Sequence, residues 1–205
     1  MGKLQRALTH RSPLRRALAS SGIALVLWLG AWTISYLTIG EGALREAMAS
    51  RVPDGVLEAN SSLALTIFQW NLVFGVGAIV ASSLVAIGPI SLGYFAPWWW
   101  ALGYGVALGT NSFVLTVPGK LAPNLGILWQ HIGAREILAY ILVSAALANI
   151  HRFRPLRWRD MKLHRVRMVS DIRLGVTEIA LVGGALVLLF WTANVEAAGV
   201  IAFLK

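Results

Sequence analysis

Three carboxyl groups interrupt stretches of the sequence that are otherwise apolar. Glu136 lies about eight residues into one apolar run, Glu178 close to the start of the last run, and Glu196 near its end. An ionisable group is costly inside a bilayer, so each of them marks a candidate functional position. Glu178 is shallow enough to reach the headgroups by snorkelling, so we expect it at the interface. Glu136 is the strongest candidate.

Polar neighbours leave two interpretations of Glu136 open. His131 and Arg135 share one helix face at a spacing of four residues, whereas His131 and Glu136 lie about 140° apart. Asn71, in an earlier apolar run, is a further intramembrane group that could tie helices together. Glu136 is therefore either part of a structural pair with Arg135 or a neighbouring helix, or a group with a functional role.

Motifs for enzymatic chemistry do not accompany these groups. The sequence has no G-x-S-x-G, H-E-x-x-H or Walker A pattern, and it contains no cysteine. His131 has no companion His, Cys or acidic cluster at ligand spacing, so we expect no metal site and no cofactor. The missing nucleophile and ligands disfavour an intramembrane enzyme, and the sequence predicts a non-enzymatic protein.

The overall composition identifies what surrounds these polar groups. The 205 residues are 57% hydrophobic and only 13% charged, against about 45–50% and about 25% in average soluble chains. A 22.2 kDa globule cannot hide that apolar surplus, so a bilayer must solvate it. This excludes a soluble enzyme, a disordered chain and, without cysteine, a disulfide-stapled secreted module.

Five apolar runs predict an all-α fold, a polytopic bundle of five transmembrane helices. Residues 59–119 contain no Asp, Glu, Lys or Arg, which leaves room for two helices, and Gly88-Pro89 is the natural break between them. Residues 20–205 then form a single transmembrane domain that follows a basic segment at 1–19. The predicted spans cover residues 20–40, 61–87, 90–110, 128–150 and 174–196.

Positive charges predict the orientation of this bundle. Residues 1–19 hold five and residues 150–173 hold eight of the 18 Lys and Arg, so 13 of them share one side of a five-span protein. The positive-inside rule places that side in the cytoplasm. We therefore expect a multi-pass protein of the cell membrane, with its N-terminus cytoplasmic and its C-terminus outside.

The basic loop at 150–173 carries more charge than topology requires. Apolar side chains lie among its cations, which fits either a solvated, charge-anchored loop or a surface helix. Such a helix would dock on anionic lipids of the cytoplasmic face or on a partner protein. Nucleic-acid binding is not expected, since no recognised motif supports it. The candidate docking residues are Arg152, Arg154, Arg157, Trp158, Arg159, Lys162, Arg165 and Arg167.

Small residues and tryptophans mark the third predicted span. Ala101, Gly105 and Gly109 recur every four residues, the pattern that lets helices approach closely, either within the bundle or in a homo-oligomer. Residues 98–100 are three tryptophans that fall near mid-span, although tryptophan favours interfaces. Either they face a neighbouring subunit or lipid tails, or Pro97 sets them at a shallower depth.

Short motifs on four spans suggest a family. Gly133-Ala134-Arg135-Glu136 opens the fourth span, residues 104–109 (YGVALG) lie in the third, residues 193–196 (ANVE) end the fifth, and Asn71 lies early in the second. Their order and spacing resemble the stage II sporulation protein M family of bacterial and archaeal membrane proteins, over roughly residues 20–203. The family's His before the first motif is replaced by Ile132 here, and Tyr104 stands in place of an Asn.

This resemblance implies a non-enzymatic membrane protein. In spore-forming bacteria such proteins work in a complex that localises peptidoglycan-degrading partners. A scaffold or complex-subunit role is therefore the first functional prediction, with other copies of the chain or other membrane proteins as partners. The alternative is a channel, transporter or permease subunit that uses an intramembrane polar cluster as its pathway.

Four of the polar residues fall at one depth of the predicted bundle. Asn71, Tyr104, Glu136 and Glu196 all lie in its outer half, each on a different helix. An unsatisfied polar group at that depth costs several kcal/mol. We therefore expect them to converge into a buried cluster that fixes the bundle or lines a cavity. With His131 and Arg135 they form the predicted intramembrane polar cluster.

Overall fold

A computed structural model describes residues 2–49, 62–113, 119–130, 132–155, 163–166 and 168–204. This part of the chain is mostly helical, as the composition predicts. The helices are α1 (Lys3–Leu8), α2 (Pro13–Thr38), α3 (Arg45–Ala49), α4 (Leu63–Trp70), α5 (Gly77–Ser83), α6 (Phe95–Thr110), α7 (Leu125–Gln130), α8 (Ile132–Leu147) and α9 (Val176–Leu204). The strands are β1 (Ala86–Ile87), β2 (Ile90–Ser91), β3 (Phe153–Pro155) and β4 (Leu163–Arg165).

Three helices are long and apolar enough to cross a membrane. They are Pro13–Thr38, Leu63–Ser83 and Val176–Ala202, with 26, 21 and 27 residues. In the Leu63–Ser83 helix, a π-helical segment at Asn71–Val76 joins α4 to α5. These three helices confirm the general prediction of a helical membrane protein.

Two shorter helices, α6 and α8, complete the apolar part of the bundle. Each has 16 residues and extends about 24 Å at 1.5 Å per residue, which is less than the roughly 20 residues of a typical span. α8 is buried on two sides. Ile137 and Ile141 pack toward α2 and α6, whereas Ala139 and Val143 pack toward α9 and the Leu63–Ser83 helix. α8 is therefore the central helix.

The observed helix boundaries differ from the predicted spans, most clearly at the N-terminus. α2 begins at Pro13 rather than at residue 20, because proline is favoured in the first turn of a helix and Ala17 is already buried against the bundle. The end of the predicted basic segment 1–19 is thus the start of α2. The last helix begins two residues later than predicted and continues to Leu204.

The predicted break at Gly88-Pro89 is confirmed. These two residues form the turn between β1 and β2, with Gly88 at φ +57°, a conformation that glycine adopts without strain. Since β2 and a 3₁₀ turn at Leu92–Tyr94 occupy the predicted start of the third span, α6 begins only at Phe95. Residues 98–100 consequently lie in its first two turns rather than at its middle, which agrees with the second of the two alternatives, a shallower position.

Glycines bring α6 into close contact with α2. A Cβ on Gly105 would lie 2.5 Å from the backbone oxygen of Trp28, and one on Gly109 would lie 2.6 Å from that of Trp32. Ala101, one turn before Gly105, is fully buried. The small residues at four-residue spacing thus lie in an intramolecular helix interface.

A buried arginine joins several elements at the end of the bundle where the N-terminus lies, here called the N-terminal end. The fully buried Arg16 donates from Nε to the carbonyl of Ala145 in the last turn of α8, at 2.9 Å. Its Nη1 donates to the carbonyl of His10. Its Nη2 lies 3.5 Å from the Glu178 carboxylate at the start of α9. The expected interfacial Glu178 is therefore an ion-pair partner, one-fifth exposed.

Loops at the far end of the bundle are also joined by hydrogen bonds. Lys120 donates to the carbonyls of Tyr36 and Ile39, at the end of α2. Glu41 accepts from the Gly119 N–H at 2.7 Å and from the Asn111 side chain at 3.1 Å. These donors hold the pKa of Glu41 below its ordinary value of 4.5. This contribution to stability is present above pH 4.5 and is lost as the pH falls through the lowered pKa.

We predict that Gly105→Ala lowers the free energy of unfolding by about 1–3 kcal/mol, because the added methyl group meets backbone that cannot move aside. The measurement is thermal or denaturant unfolding of the full chain in mild detergent.

Gly103→Ala is the matched control on the same helix. A Cβ at Gly103 meets open space, so this variant should be neutral or slightly stabilising. Equal losses for the two variants would contradict the close α2–α6 contact.

Candidate functional site

Glu136 lies at the centre of a hydrogen-bonded group that joins three helical segments. Its side chain is 4% exposed. Asn71 donates from Nδ2 to Oε1 of Glu136 at 2.6 Å, and the hydroxyl of Tyr104 donates to Oε2 at 2.5 Å. The two carboxylate oxygens thus each accept a bond from a different neighbouring helix. The structure brings these three predicted residues together.

A glycine on α8 makes room for the tyrosine of this cluster. Gly133 precedes Glu136 by three residues, so both lie on one face of the helix. A Cβ at Gly133 would fall 2.7 Å from the Tyr104 ring. On its other side this ring stacks on Trp28, with centroids 5.6 Å apart and planes inclined by 18°. Glycine and tryptophan therefore position the hydroxyl that reaches Glu136.

Asn71 is placed by an irregular turn of its helix. The π-helical segment begins at Asn71 itself, and such segments occur frequently at functional sites. Gly75 lies within this segment, and a Cβ there would come 2.5 Å from the Tyr140 hydroxyl. Tyr140 follows Glu136 by four residues on α8 and packs on Trp100 at 4.7 Å. A second glycine–tyrosine contact thus lies beside the cluster.

A second carboxyl group comes from α9. Glu196 is half-buried and lies close enough to interact electrostatically with Glu136 and with Tyr104. The group therefore draws side chains from the Leu63–Ser83 helix, α6, α8 and α9. We keep the name polar cluster for Asn71, Tyr104, Glu136 and Glu196. It occupies the half of the bundle away from the N-terminal end.

Arg135 lies apart from the polar cluster. Its guanidinium carbon sits 4.7 Å from the centre of the Trp191 ring on α9, a cation–π contact. Because Arg135 and Glu136 are adjacent on a helix, their side chains point about 100° apart. The structural pairing of Glu136 is therefore with neighbouring helices and not with Arg135. His131 lies outside the described residues.

The side chains of the polar cluster can form hydrogen bonds, and its two carboxyl groups can bind an ion or a proton. In the described part of the chain, no three His, Asp or Glu side chains lie together as a set of metal ligands. The donors that reach Glu136 are a neutral amide and a neutral hydroxyl. This arrangement supplies both oxygens of a buried carboxyl group with donors from neighbouring helices.

The predicted docking loop forms a hairpin where it is described. β3 and β4 pair antiparallel, with Phe153 opposite Arg165 and Arg154 opposite His164. These residues are thus in strands and not in a surface helix, the second of the two forms considered for this loop. Arg152 lies directly before β3. The other predicted docking residues, Arg157, Trp158, Arg159, Lys162 and Arg167, lie outside the described residues.

Three residues were not singled out from the sequence: Gly75 and Tyr140 beside the polar cluster, and Arg16 at the N-terminal end. Gly75 and Tyr140 could have been found from their four-residue spacing to Asn71 and Glu136 on the same helices. Arg16 and its pairing with Glu178 had no local signal, since one arginine in a basic segment is indistinguishable from the others until the helices meet.

Comparisons of the chain with protein-family models, with curated proteins and with solved structures gave no match.

We predict that Tyr104→Phe lowers the free energy of unfolding by about 1–3 kcal/mol, the cost of leaving a buried acceptor without its partner. The phenylalanine ring still fits between Gly133 and Trp28, so the loss isolates the missing donor to Glu136. Unfolding of the full chain in detergent measures it.

Tyr36→Phe is the control, because the ring of Tyr36 lies near Lys120 at the far end, outside the polar cluster. In a double-mutant cycle, the Tyr104→Phe effect should shrink when Glu136 is already leucine. An unchanged effect in that background would show that Tyr104 acts independently of Glu136.

Proposed function

We propose that this chain is a non-enzymatic integral membrane protein that acts as a scaffold or as a subunit of a membrane complex. The observation that supports the proposal most strongly is that the Glu136 side chain is already hydrogen-bonded within the bundle. Both of its oxygens accept hydrogen bonds from side chains of the same chain. A carboxyl group bonded in this way holds neighbouring helices together and so stabilises the bundle.

Five passes through the cell membrane are part of this proposal, with the N-terminus in the cytoplasm and the C-terminus outside. Arg16 supports it, since its contacts place the start of α2, the end of α8 and the start of α9 at one end of the bundle. The basic residues of α1 and of the β3–β4 hairpin belong to that same end. Its positive charge fits the cytoplasmic side of a membrane.

The distribution of apolar surface supports a role in assembly. Large apolar side chains are exposed on each of the three candidate spans, for example Val26 (71%), Val73 (61%) and Val187 (71%). Lipid or a partner helix can cover such faces. The resemblance to the stage II sporulation protein M family points in the same direction. A role in localising wall-degrading partners remains a proposal that rests on that resemblance.

Transport is the second candidate function, and one observation favours it. Glu196 and Glu136 are two interacting carboxyl groups at membrane depth, the type of group found along ion and proton pathways. The π-helical segment that starts at Asn71 provides an irregular turn beside them. A channel, transporter or permease subunit would use this pair as part of its pathway.

One experiment separates the two functions. The tagged full chain is expressed at native level, extracted in mild detergent and analysed for bound subunits, and it is also reconstituted in liposomes for flux measurements. We expect the chain to assemble at a fixed stoichiometry with other copies of itself or with other membrane proteins. We expect the ion or proton flux to be no higher than that of empty liposomes.

The variants Glu136→Gln and Glu46→Gln make the test specific. Glu46 is an exposed carboxylate outside the polar cluster, so it controls for loss of one negative charge. A monomeric chain with a flux that Glu136→Gln abolishes and Glu46→Gln preserves would overturn the scaffold proposal in favour of transport.

A further inference from the structure

The β3–β4 hairpin is attached to the end of a candidate membrane span. The backbone N–H groups of Arg152 and Phe153 both donate to the carbonyl of Leu84, at 2.7 and 3.0 Å. Leu84 directly follows Ser83, the last residue of the Leu63–Ser83 helix. The base of the hairpin therefore lies where that helix leaves the hydrocarbon, at the level of lipid headgroups.

One face of this hairpin collects basic side chains. Successive residues of a strand point to opposite faces, so Arg152 and Arg154 share a face. Val166 N–H donates to the Arg152 carbonyl at 2.7 Å, which extends the ladder beyond β3. His164 lies directly opposite Arg154 in the register. Arg152, Arg154 and His164 therefore lie on the same face of the strand pair.

The arginines on this face have unused donors. The Nε atoms of Arg152 and Arg154 are both buried and have no hydrogen-bond partner among the described residues. Arg154 uses its Nη2 to donate to Nε2 of His151 at 3.0 Å. A buried guanidinium N–H without an acceptor costs about 1–3 kcal/mol or more. The two side chains as a whole are only partly buried, so an external acceptor with negative charge can reach the outer ends of the guanidinium groups.

The chain itself supplies little negative charge here. Residues 150–173 contain eight Lys and Arg but only two acidic residues, Asp160 and Asp171. Asp171 already accepts from the Met168 N–H and from the Ser170 hydroxyl. In the described part of the molecule, the ion pair is Arg16 with Glu178, inside the bundle. A surplus of positive charge thus remains on the hairpin.

Exposed apolar side chains beside these cations indicate a lipid surface. Leu163, Val166 and Met168 are 52%, 54% and 49% exposed at or directly after β4. Apolar side chains next to cations, at the end of a membrane span, suit the boundary between headgroups and acyl chains. A phosphate free in solution would gain nothing from them.

We propose that Arg152 and Arg154 form a binding site for the phosphate of an anionic phospholipid. The guanidinium groups donate to the phosphate oxygens, for which the planar arginine fork is well suited. Val166, which lies on the same face as Arg152, and Met168 contact the upper part of the acyl chains. This site is independent of the polar cluster and of the scaffold role.

The test is a lipid titration of the full chain in mild detergent, followed by native mass spectrometry. Phosphatidylglycerol and phosphatidylcholine of the same acyl chains are compared, with inorganic phosphate as a competitor. The wild-type chain should bind phosphatidylglycerol tighter than phosphatidylcholine, and millimolar inorganic phosphate should leave that difference in place.

Two double variants remove the same amount of charge. Arg152→Gln with Arg154→Gln should weaken phosphatidylglycerol binding about 10- to 30-fold, because it removes the direct hydrogen bonds to the charged phosphate. Lys3→Gln with Arg6→Gln is the matched control, since both residues are exposed on α1 at the same end. The control should change the affinity by less than about threefold, because its two cations act on the bound lipid only through screened solvent.

A charge-preserving variant tests the donors themselves. Arg152→Lys with Arg154→Lys keeps both charges but removes the guanidinium forks, and it should bind with intermediate affinity. If this variant binds with wild-type affinity, the lipid is held by general electrostatic attraction and not by a specific arginine site, and the proposal is wrong. Equal losses in both glutamine variants, equal binding of the two lipids, or displacement by inorganic phosphate would each overturn the proposal as well.

Discussion

A carboxyl group buried inside an apolar helical bundle needs hydrogen-bond donors. The positions of the helices around Glu136 follow from that need. Lipid supplies none, so the donors must come from the chain. Asn71 reaches one oxygen and Tyr104 the other, from two different helices. This requirement fixes the rotation of α8 against α6 and against the Leu63–Ser83 helix. A shift of one residue in any of them would leave a buried acceptor without its partner.

Close contacts between helices are the second condition for this arrangement. Glycines at positions 105 and 109 let the backbone of α6 approach the backbone of α2, and Gly133 leaves room for the Tyr104 ring beside α8. Helices in lipid gain no hydrophobic stabilisation from each other, so van der Waals contact at small residues is a main source of association. The hydrogen bonds to Glu136 and the close packing at glycines therefore depend on each other. At the N-terminal end, Arg16 plays a comparable part by joining α2, α8 and α9.

Much of the general plan could be predicted from the sequence, because apolar runs and helix breakers act locally. The turn at Gly88-Pro89 and the convergence of Asn71, Tyr104 and Glu136 belong to this group. The sequence could not predict the partners that tertiary contacts decide. Glu178 lies at a predicted interface but pairs with an arginine 162 positions earlier in the chain, and Arg135 prefers the face of Trp191 to its neighbouring carboxylate. The strands of the basic loop had no alternating pattern strong enough to distinguish them from a helix.

Labelling of Glu136 by a hydrophobic carbodiimide in native membranes tests the central claim most directly. Such a reagent enters the bilayer and modifies carboxyl groups that face lipid or an open cavity. If the donors from Asn71 and Tyr104 seal Glu136 within the bundle, it should remain unmodified in membranes and become modified once the chain is unfolded in dodecyl sulfate. Modification at the same rate in both states would contradict the account.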